Sequence, residues 1–243
     1  MQESDLKTST KQRIFIAIIA ALMLGASVAI YIAIILSAGT VAEESAVNDA
    51  LVAEYQAEYD EKNASLEEMS SSMTEKYYGK LTDYRSKIKG FNASKANTNE
   101  VVKTEDLKIG SGEKLTAEST GYGAYYIGWC SDETVFDSSF DNYDEPTTLK
   151  QPLVVDEGSL IEGWYLGVAG MHLGGARIVT IPGALAYGDS YNPCDSESEE
   201  KNVPLKFLIM PVELTDDYKK LAEEVNTLQM KLLYAQYGLE YKE

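Results

Sequence analysis

Residues 160–188 constrain the fold more than any other part of the sequence. Ile161, Trp164 and Val168 follow the i, i+3, i+7 spacing that puts three large apolar side chains on one face of a short helix. Glycines then interrupt any longer helix, because glycine adopts turn conformations without steric cost. Residues 176–181 follow as a run rich in β-branched strand formers. The stretch predicts a short helix, a turn and a strand.

Other strand-like segments surround this stretch from residue 105 onwards. They are short, are separated by glycine-rich turns and are accompanied by one short helix, a pattern typical of the α+β class. The predicted strands lie at 107–109, 122–129, 135–136, 153–155, 177–181 and 207–214. On composition alone the central stretch is an ordinary helix–strand corner of such a domain.

The order and spacing of several motifs point further. Residues 160–164 (LIEGW) and 181–188 (IPGALAYG) resemble the signature of FKBP-type peptidyl-prolyl isomerases. The resemblance extends to 125–128 (YYIG), 135–139 (VFDSS) and 208–214 (LIMPVEL). It covers residues 103–215, a little under half of the chain, and implies an FKBP-like antiparallel sheet wrapped on the short helix.

The resemblance also implies an aromatic pocket that receives a proline ring. Trp164 would form the floor, and Tyr187 would donate its hydroxyl to a substrate carbonyl. Asp137 would be a buried carboxylate that orders Tyr126 and not a proton-transfer base. The other implied site residues are Phe136 and Ile161 on the walls, Leu160 through its backbone amide, and Met210 at a position that is usually aromatic.

The implied activity is cis–trans isomerisation of X-Pro bonds in polypeptide clients, which assists folding. A peptide bond rotates over a barrier of about 18–20 kcal/mol, and unaided X-Pro exchange takes tens to hundreds of seconds. No bond is made or broken, so the reaction needs no cofactor and no metal. A pocket that removes water from the imide favours rotation, because the charge-separated resonance form loses its solvation.

Departures from the family pattern favour an alternative function, a weakly active or inactive module for client holding or surface interactions. Gln151 and Met210 both fall where the family usually has aromatic side chains. The loop after Tyr187 is longer and acidic, and with Asp141 and Asp144 it offers oxygen ligands for Ca²⁺. These acids match no defined calcium loop, so we interpret them as a solvated rim.

The charge and the few metal-binding side chains restrict the partners. The formal net charge is −18, which disfavours nucleic acid, because a phosphate backbone needs lysines and arginines to neutralise it. One histidine and two cysteines cannot supply a zinc site made of several such ligands. Proline-containing polypeptides remain the expected partners.

An uncharged apolar segment occupies residues 14–36. About 20 such residues cross a bilayer core, so a transmembrane helix is predicted, although small residues at 37–42 leave a cleaved signal peptide open. Basic residues precede the segment and acidic residues follow it, which places residues 1–13 in the cytoplasm. We expect a single-pass cell-membrane protein whose FKBP-like domain is extracytoplasmic.

Two long amphipathic segments flank the FKBP-like domain. Apolar residues recur at steps of three and four across 41–89, and a coiled-coil-like seam follows in 216–236. We predict that these helices pack together as a stalk, in residues 37–102 and 216–243, within one chain or across a homodimer. The alternative is a chaperone arm that holds clients. The polar segment 90–100 is predicted to be a linker.

Two cysteines, Cys130 and Cys194, would lie in a compartment that permits a disulfide. In an FKBP-like fold, Cys130 follows an early strand and Cys194 lies in the loop after Tyr187. A bridge that pins this loop and a pair of free thiols are both open from the sequence.

Overall fold

The computed structural model describes residues 42–195, 197–239 and 241 of the 243-residue chain. The predicted cytoplasmic tail and the predicted transmembrane helix at 14–36 lie outside the described residues. Within these residues, no helix combines the length and the apolar composition needed to cross a bilayer.

Six strands and four α-helices form the described part of the chain. The strands are β1 (Lys103–Lys108), β2 (Tyr122–Trp129), β3 (Val135–Ser138), β4 (Leu153–Val155), β5 (Ala176–Ile181) and β6 (Leu205–Val212). The helices are α1 (Ala42–Tyr84), α2 (Ala93–Asn97), α3 (Glu162–Val168) and α4 (Asp216–Gln236). This composition confirms the α+β class.

The strands form one antiparallel sheet in the order β1-β5-β6-β2-β3, and β4 also pairs with β2. Every residue of the central strand β2 is buried, whereas the edge strand β1 is almost wholly exposed. Because successive side chains point to opposite faces, β2 contributes to two separate core layers. Tyr125, Ile127 and Trp129 belong to one layer, and Ala124 and Tyr126 to the other.

Helix α3 covers one face of the sheet. Its Trp164 and Val168 are buried in the layer that contains Tyr126. Gly163 makes the close approach possible, because a Cβ at this position would lie 2.2 Å from Cγ2 of Ile181. The predicted short helix therefore sits directly on the sheet.

Helices α1 and α4 cover the other face. Tyr77 of α1 lies with its ring centroid 5.4 Å from that of Tyr125, and Lys62 of α1 forms an ion pair of 2.7 Å with Glu224 of α4. Both helices join a single core layer with the sheet, through Leu66, Tyr77 and Leu81 of α1 and Tyr218 and Val225 of α4.

This arrangement replaces the predicted stalk, because residues 44–243 form one compact unit. A strand that is buried on both faces needs apolar side chains packed against each face. The second half of α1 supplies them on the face opposite α3. The two helices pack on each other and on the sheet within one chain, which is the first of the two predicted alternatives for their packing. Residues 90–100 likewise contain α2, whose N-cap Asn92 accepts a hydrogen bond of 2.7 Å from the Lys95 amide.

Candidate active site

Trp164 lies at the base of an aromatic cluster between α3 and the sheet. Its ring meets those of Tyr126 and Phe207 edge-on, with centroid distances of 5.6 and 5.5 Å. Its Nε1 donates to the Tyr122 hydroxyl at 3.3 Å. The indole is 2% exposed, so side chains around the cluster control access to it.

The surrounding side chains are half-buried and belong to three different segments. Phe136 comes from β3 and packs edge-on against Phe207 at 5.5 Å. Leu160 and Ile161 precede α3, and Tyr187 comes from the loop after β5. The structure thus brings together every implied site residue except Met210.

Asp137 is the buried carboxylate of the site. Its Oδ2 accepts a hydrogen bond of 2.5 Å from the Tyr126 hydroxyl, and its Oδ1 accepts one of 2.8 Å from the Ser138 amide. Burial raises the pKa of Asp137 to about 6, although the hydrogen bond from Tyr126 and the charge of Lys150 act in the opposite direction. Burial and the adjacent Asp137 raise the pKa of Tyr126 well above its usual value. Tyr126 therefore remains the donor.

Tyr187 is held as a hydroxyl donor by its surroundings. Burial raises its pKa, and the negative charge of Asp137 raises it further. Its ring packs edge-on against that of Tyr191, with centroids 5.5 Å apart. A neutral hydroxyl at this position can donate to a carbonyl oxygen but has no tendency to give up its proton at neutral pH.

The loop that carries Tyr187 is fastened at both ends by Asn97. The Asn97 Oδ1 accepts from the Gly183 amide at 2.8 Å, and its Nδ2 donates to the Asn202 carbonyl at 2.9 Å. Gly183 is required here because a Cβ would lie 1.9 Å from the Asn202 backbone. The sequence analysis missed Asn97, although the Asn-rich segment that precedes β1 carries helix-capping residues that would have indicated local structure.

The structure contains the disulfide that the sequence could not decide. Cys130 and Cys194 are bridged across 64 positions of sequence. The bridge joins the end of β2 to the middle of the Tyr187 loop. This loop is therefore fixed by one covalent bond in addition to the Asn97 hydrogen bonds.

Met210 does not line the site. It pairs with Tyr125 in the layer under α1 and α4, whereas Ile209 pairs with Tyr126 on the Trp164 side. The prediction counted back along the chain from residues 212–214. A count that is wrong by one residue moves a side chain to the opposite face of a strand.

The predicted role of the Leu160 amide also needs correction. This amide donates to the Tyr165 hydroxyl at 3.2 Å, and that hydroxyl in turn donates to the Asp156 carbonyl at 2.5 Å. Ile161 is the N-cap of α3, and the first amides of a helix have no acceptor within the helix. The Leu160 amide thus has a partner within the protein, while no acceptor is expected within the helix for the amides of Glu162 and Gly163.

Gln151, the residue at the other usually aromatic position, faces α1. Its Nε2 donates to Asn63 Oδ1 at 3.1 Å. Two further hydrogen bonds reach the same β3–β4 connection. One runs from the Tyr78 hydroxyl of α1 to Pro146 O at 2.8 Å, and the other from Nη2 of Arg85, in the turn directly after α1, to Tyr143 O at 2.7 Å. Helix α1 therefore fixes the connection that borders Asp137 and Phe136.

We expect the double substitution Asn63→Ala and Tyr78→Phe to loosen this connection. It removes two hydrogen bonds worth about 1 kcal/mol each, so amide exchange in residues 141–151 should accelerate by about thirtyfold. Hydrogen exchange with mass spectrometry measures the rate. Gln56→Ala is the control, because Gln56 bonds only to Asp60 on the same helix; equal rates in the two variants would contradict the role of α1.

The acidic residues considered for Ca²⁺ do not form a cluster. Among the described residues, no group of three or more acidic, histidine or cysteine side chains is placed to hold a metal ion. The Asp141 carboxylate instead accepts hydrogen bonds from the Thr147 hydroxyl and from the Thr147 amide of its own loop.

The fold and the site together define a class of protein. An antiparallel sheet is folded over a short helix, and the tryptophan of that helix underlies an aromatic rim with one buried carboxylate. This is a site suited to binding a small apolar group next to a hydroxyl donor.

Comparison with known proteins identifies the family. A family model for FKBP-type peptidyl-prolyl cis-trans isomerases matches residues 112–214. An FK506-binding protein from Neisseria meningitidis serogroup B is 38% identical over 86 residues, which cover 35% of this chain and 72% of that protein. The chain belongs to the FKBP-type peptidyl-prolyl isomerase family.

Other relatives are longer or less completely superimposable. FK506-binding protein 4 of Aspergillus fumigatus is 40% identical over 92 residues, which cover 38% of this chain but 17% of that protein. The crystal structure of AtFKBP13 has 30% identity, covers 47% of this chain and 93% of that one, and superimposes with a TM-score of 0.37. The chain thus spans about a sixth of the length of the first fungal relatives that it matches.

Proposed function

We propose that the chain is an active peptidyl-prolyl cis–trans isomerase that assists the folding of extracytoplasmic proteins. The observation that carries the proposal is the convergence of Trp164, Tyr126, Phe136 and Tyr187 around the buried Asp137 carboxylate. The cluster is apolar except for a few donors and one acceptor. Such a surface can remove water from the bound imide, and the reaction requires no covalent bond to the protein.

In this proposal the substrate proline ring packs against Trp164 after the half-buried rim side chains move aside. Tyr187 donates its hydroxyl to a substrate carbonyl, and the first amides of α3 offer a second donor to the peptide. Asp137 keeps the Tyr126 ring in place through its 2.5 Å hydrogen bond. Each tenfold in rate requires about 1.4 kcal/mol of preferential stabilisation of the twisted imide, so a dry aromatic pocket with two donors is sufficient.

The extracytoplasmic part of the proposal rests on two observations. The apolar segment 14–36, with basic residues before it, favours a membrane anchor with a cytoplasmic N-terminus. The Cys130–Cys194 bridge favours an oxidising compartment, because disulfides rarely persist in the cytosol. Clients would then be proline-containing chains emerging on the outer side of the membrane.

A protease-coupled assay on a proline-containing peptide tests the activity. Tyr187→Phe removes one hydrogen bond to the twisted imide and is expected to lower kcat/KM by about tenfold. Tyr237→Phe is the matched control, because Tyr237 lies at the end of α4 and is 42% exposed. A wild-type rate equal to that of buffer would reject the catalytic proposal.

A binding module with little catalysis is the second candidate. The observation that favours it is that Gln151, at a position that is usually aromatic in the family, bonds to Asn63 and offers no aromatic wall. This candidate predicts saturable binding of the same proline peptide without any acceleration of its isomerisation.

A further inference from the structure

A cavity of about 240 Å³ lies at the edge of the sheet, beside the end of β1. Of the residues around it, only Met171 also belongs to the core layer of Trp164. The chemically active groups of its wall are Asp106, Lys108, Lys114, His172 and Arg177, and Ile109 forms an apolar part of it. The cavity is therefore separate from the proposed prolyl site.

The backbone brings these side chains together from three segments. The pairing of β1 with β5 is irregular between Asp106 and Lys108, and such a bulge re-aims the side chains that follow it. Lys114 and His172 face each other across an isolated antiparallel bridge. The result is a concave corner in which two lysines and the histidine meet.

The charges of the cavity are unbalanced. Arg177 is buried and four of its five N–H groups are used, because Nε and Nη2 bind the two oxygens of Asp106 at 2.7 and 3.1 Å and Nη1 binds the carbonyls of Gly167 in α3 and of Ala169 directly after it. Asp106 is thereby neutralised. In the part of the chain that the structure describes, neither Lys108 nor Lys114 forms an ion pair.

A further group of lysines lies next to this corner. Burial lowers the pKa of Lys80, and the positive charges of Lys108 and Lys76 lower it further. Like charges are thus crowded here, although the whole chain has a formal net charge of −18. A local positive field on an acidic protein concentrates anions at that point of the surface.

We propose that this cavity binds a phosphate group, carried either by free phosphate or by a phosphate monoester. The two lysines are point charges of the kind that bind phosphate. The planar fork of Arg177 is already occupied by Asp106, so the lysines are the groups that would hold the anion. Ile109 is 79% exposed at the rim, where it would contact the carbon portion of an ester. This site does not depend on prolyl isomerase activity.

His172 provides a direct reporter, since it is the single histidine of the chain. Its Nδ1 donates to the Gly112 carbonyl at 2.8 Å, which leaves Nε2 as the second polar atom of the ring. With histidine labelled in the full chain, kept in a non-ionic detergent, inorganic phosphate at fixed pH should shift the His172 ring resonances saturably. Sodium chloride at equal ionic strength should not produce this shift.

Two variants and a second ligand complete the test. Lys108→Gln with Lys114→Gln is expected to raise the Kd for phosphate about tenfold or more, which corresponds to about 1.4 kcal/mol. Lys95→Gln, at an exposed lysine of α2, should leave the Kd unchanged. Tighter binding of glycerol 3-phosphate would identify a monoester as the ligand, and equal binding would identify the free ion. The proposal would be overturned if sodium chloride shifted the His172 resonances as phosphate does, or if the Kd for phosphate were unchanged in the double variant.

Discussion

Replacing Cys130 and Cys194 with serine is expected to lower the free energy of unfolding by about 4 kcal/mol. The bridge spans 64 positions of sequence, and a cross-link over so long a loop removes much of the conformational entropy of the unfolded chain. Guanidinium titration followed by tryptophan fluorescence measures the change, since Trp129 and Trp164 are both buried.

The control is the wild-type protein with its disulfide reduced, which should unfold at the midpoint of the double variant. Reduction of the double variant itself should have no effect. We also expect the loop at residues 189–200 to be cleaved faster by protease, because its covalent tie to β2 is lost and hydrogen bonds such as those of Asn97 and Asn202 remain. An unchanged unfolding midpoint would mean that the bridge restrains neither the unfolded chain nor the loop.

The parts of the fold that the sequence predicted are those determined locally. The spacing of Ile161, Trp164 and Val168 and the glycines that follow specify α3 and its turn, whatever lies around them. The β-branched run that becomes β5 is equally local. Tyr187 and Asp137 were found because their motifs lie at fixed positions relative to these elements.

The parts that were mispredicted depend on distant contacts. The apolar residues of α1 indicate a buried face but do not say everything that covers it. The two helices were predicted to pack on each other as a stalk, and in the structure both also pack on the sheet. Met210 illustrates a second limit, because strand register depends on the pairing of β2 with β6, which no local pattern specifies. Asn97 joins Gly183 to Asn202 across more than 80 positions, and a single sequence offers no evidence of such a pair.

These long-range contacts converge on the segments that border the site. The Tyr187 loop is fixed by Asn97 and the disulfide, and the connection from β3 to β4 is fixed by α1. The residues of the aromatic cluster are thus set by local motifs. Their mutual positions also depend on the disulfide, within the family match at 112–214, and on Asn97 and α1, outside it. Substitutions in α1 or α2 are therefore expected to alter the site without touching it.

Asp137→Asn is expected to remove a pH dependence of stability of about 3 kcal/mol between pH 3 and pH 7. Asp137 has a pKa of about 6 in the folded protein, mainly because of burial, against 3.8 for the unperturbed side chain. Well below this unperturbed value the group is neutral in both states. As the pH rises towards 7, the folded state binds more protons than the unfolded state, so this group makes the protein less stable at neutral than at acidic pH.

Many other carboxylates titrate over the same interval, so the quantity to measure is the difference between the wild type and Asp137→Asn at each pH. We expect the variant to gain stability relative to the wild type as the pH rises from 4 to 7. Asp132 provides a control of opposite sign, because hydrogen bonds from Thr134 lower its pKa. Its stabilising contribution is lost only on acidification below about pH 4, so the difference between Asp132→Asn and the wild type should stay nearly constant from pH 5 to pH 7 and shrink below pH 4. If the difference in free energy of unfolding between Asp137→Asn and the wild type were the same at every pH, burial would not destabilise the Asp137 carboxylate. Tyr126 and Lys150 would then compensate its charge fully.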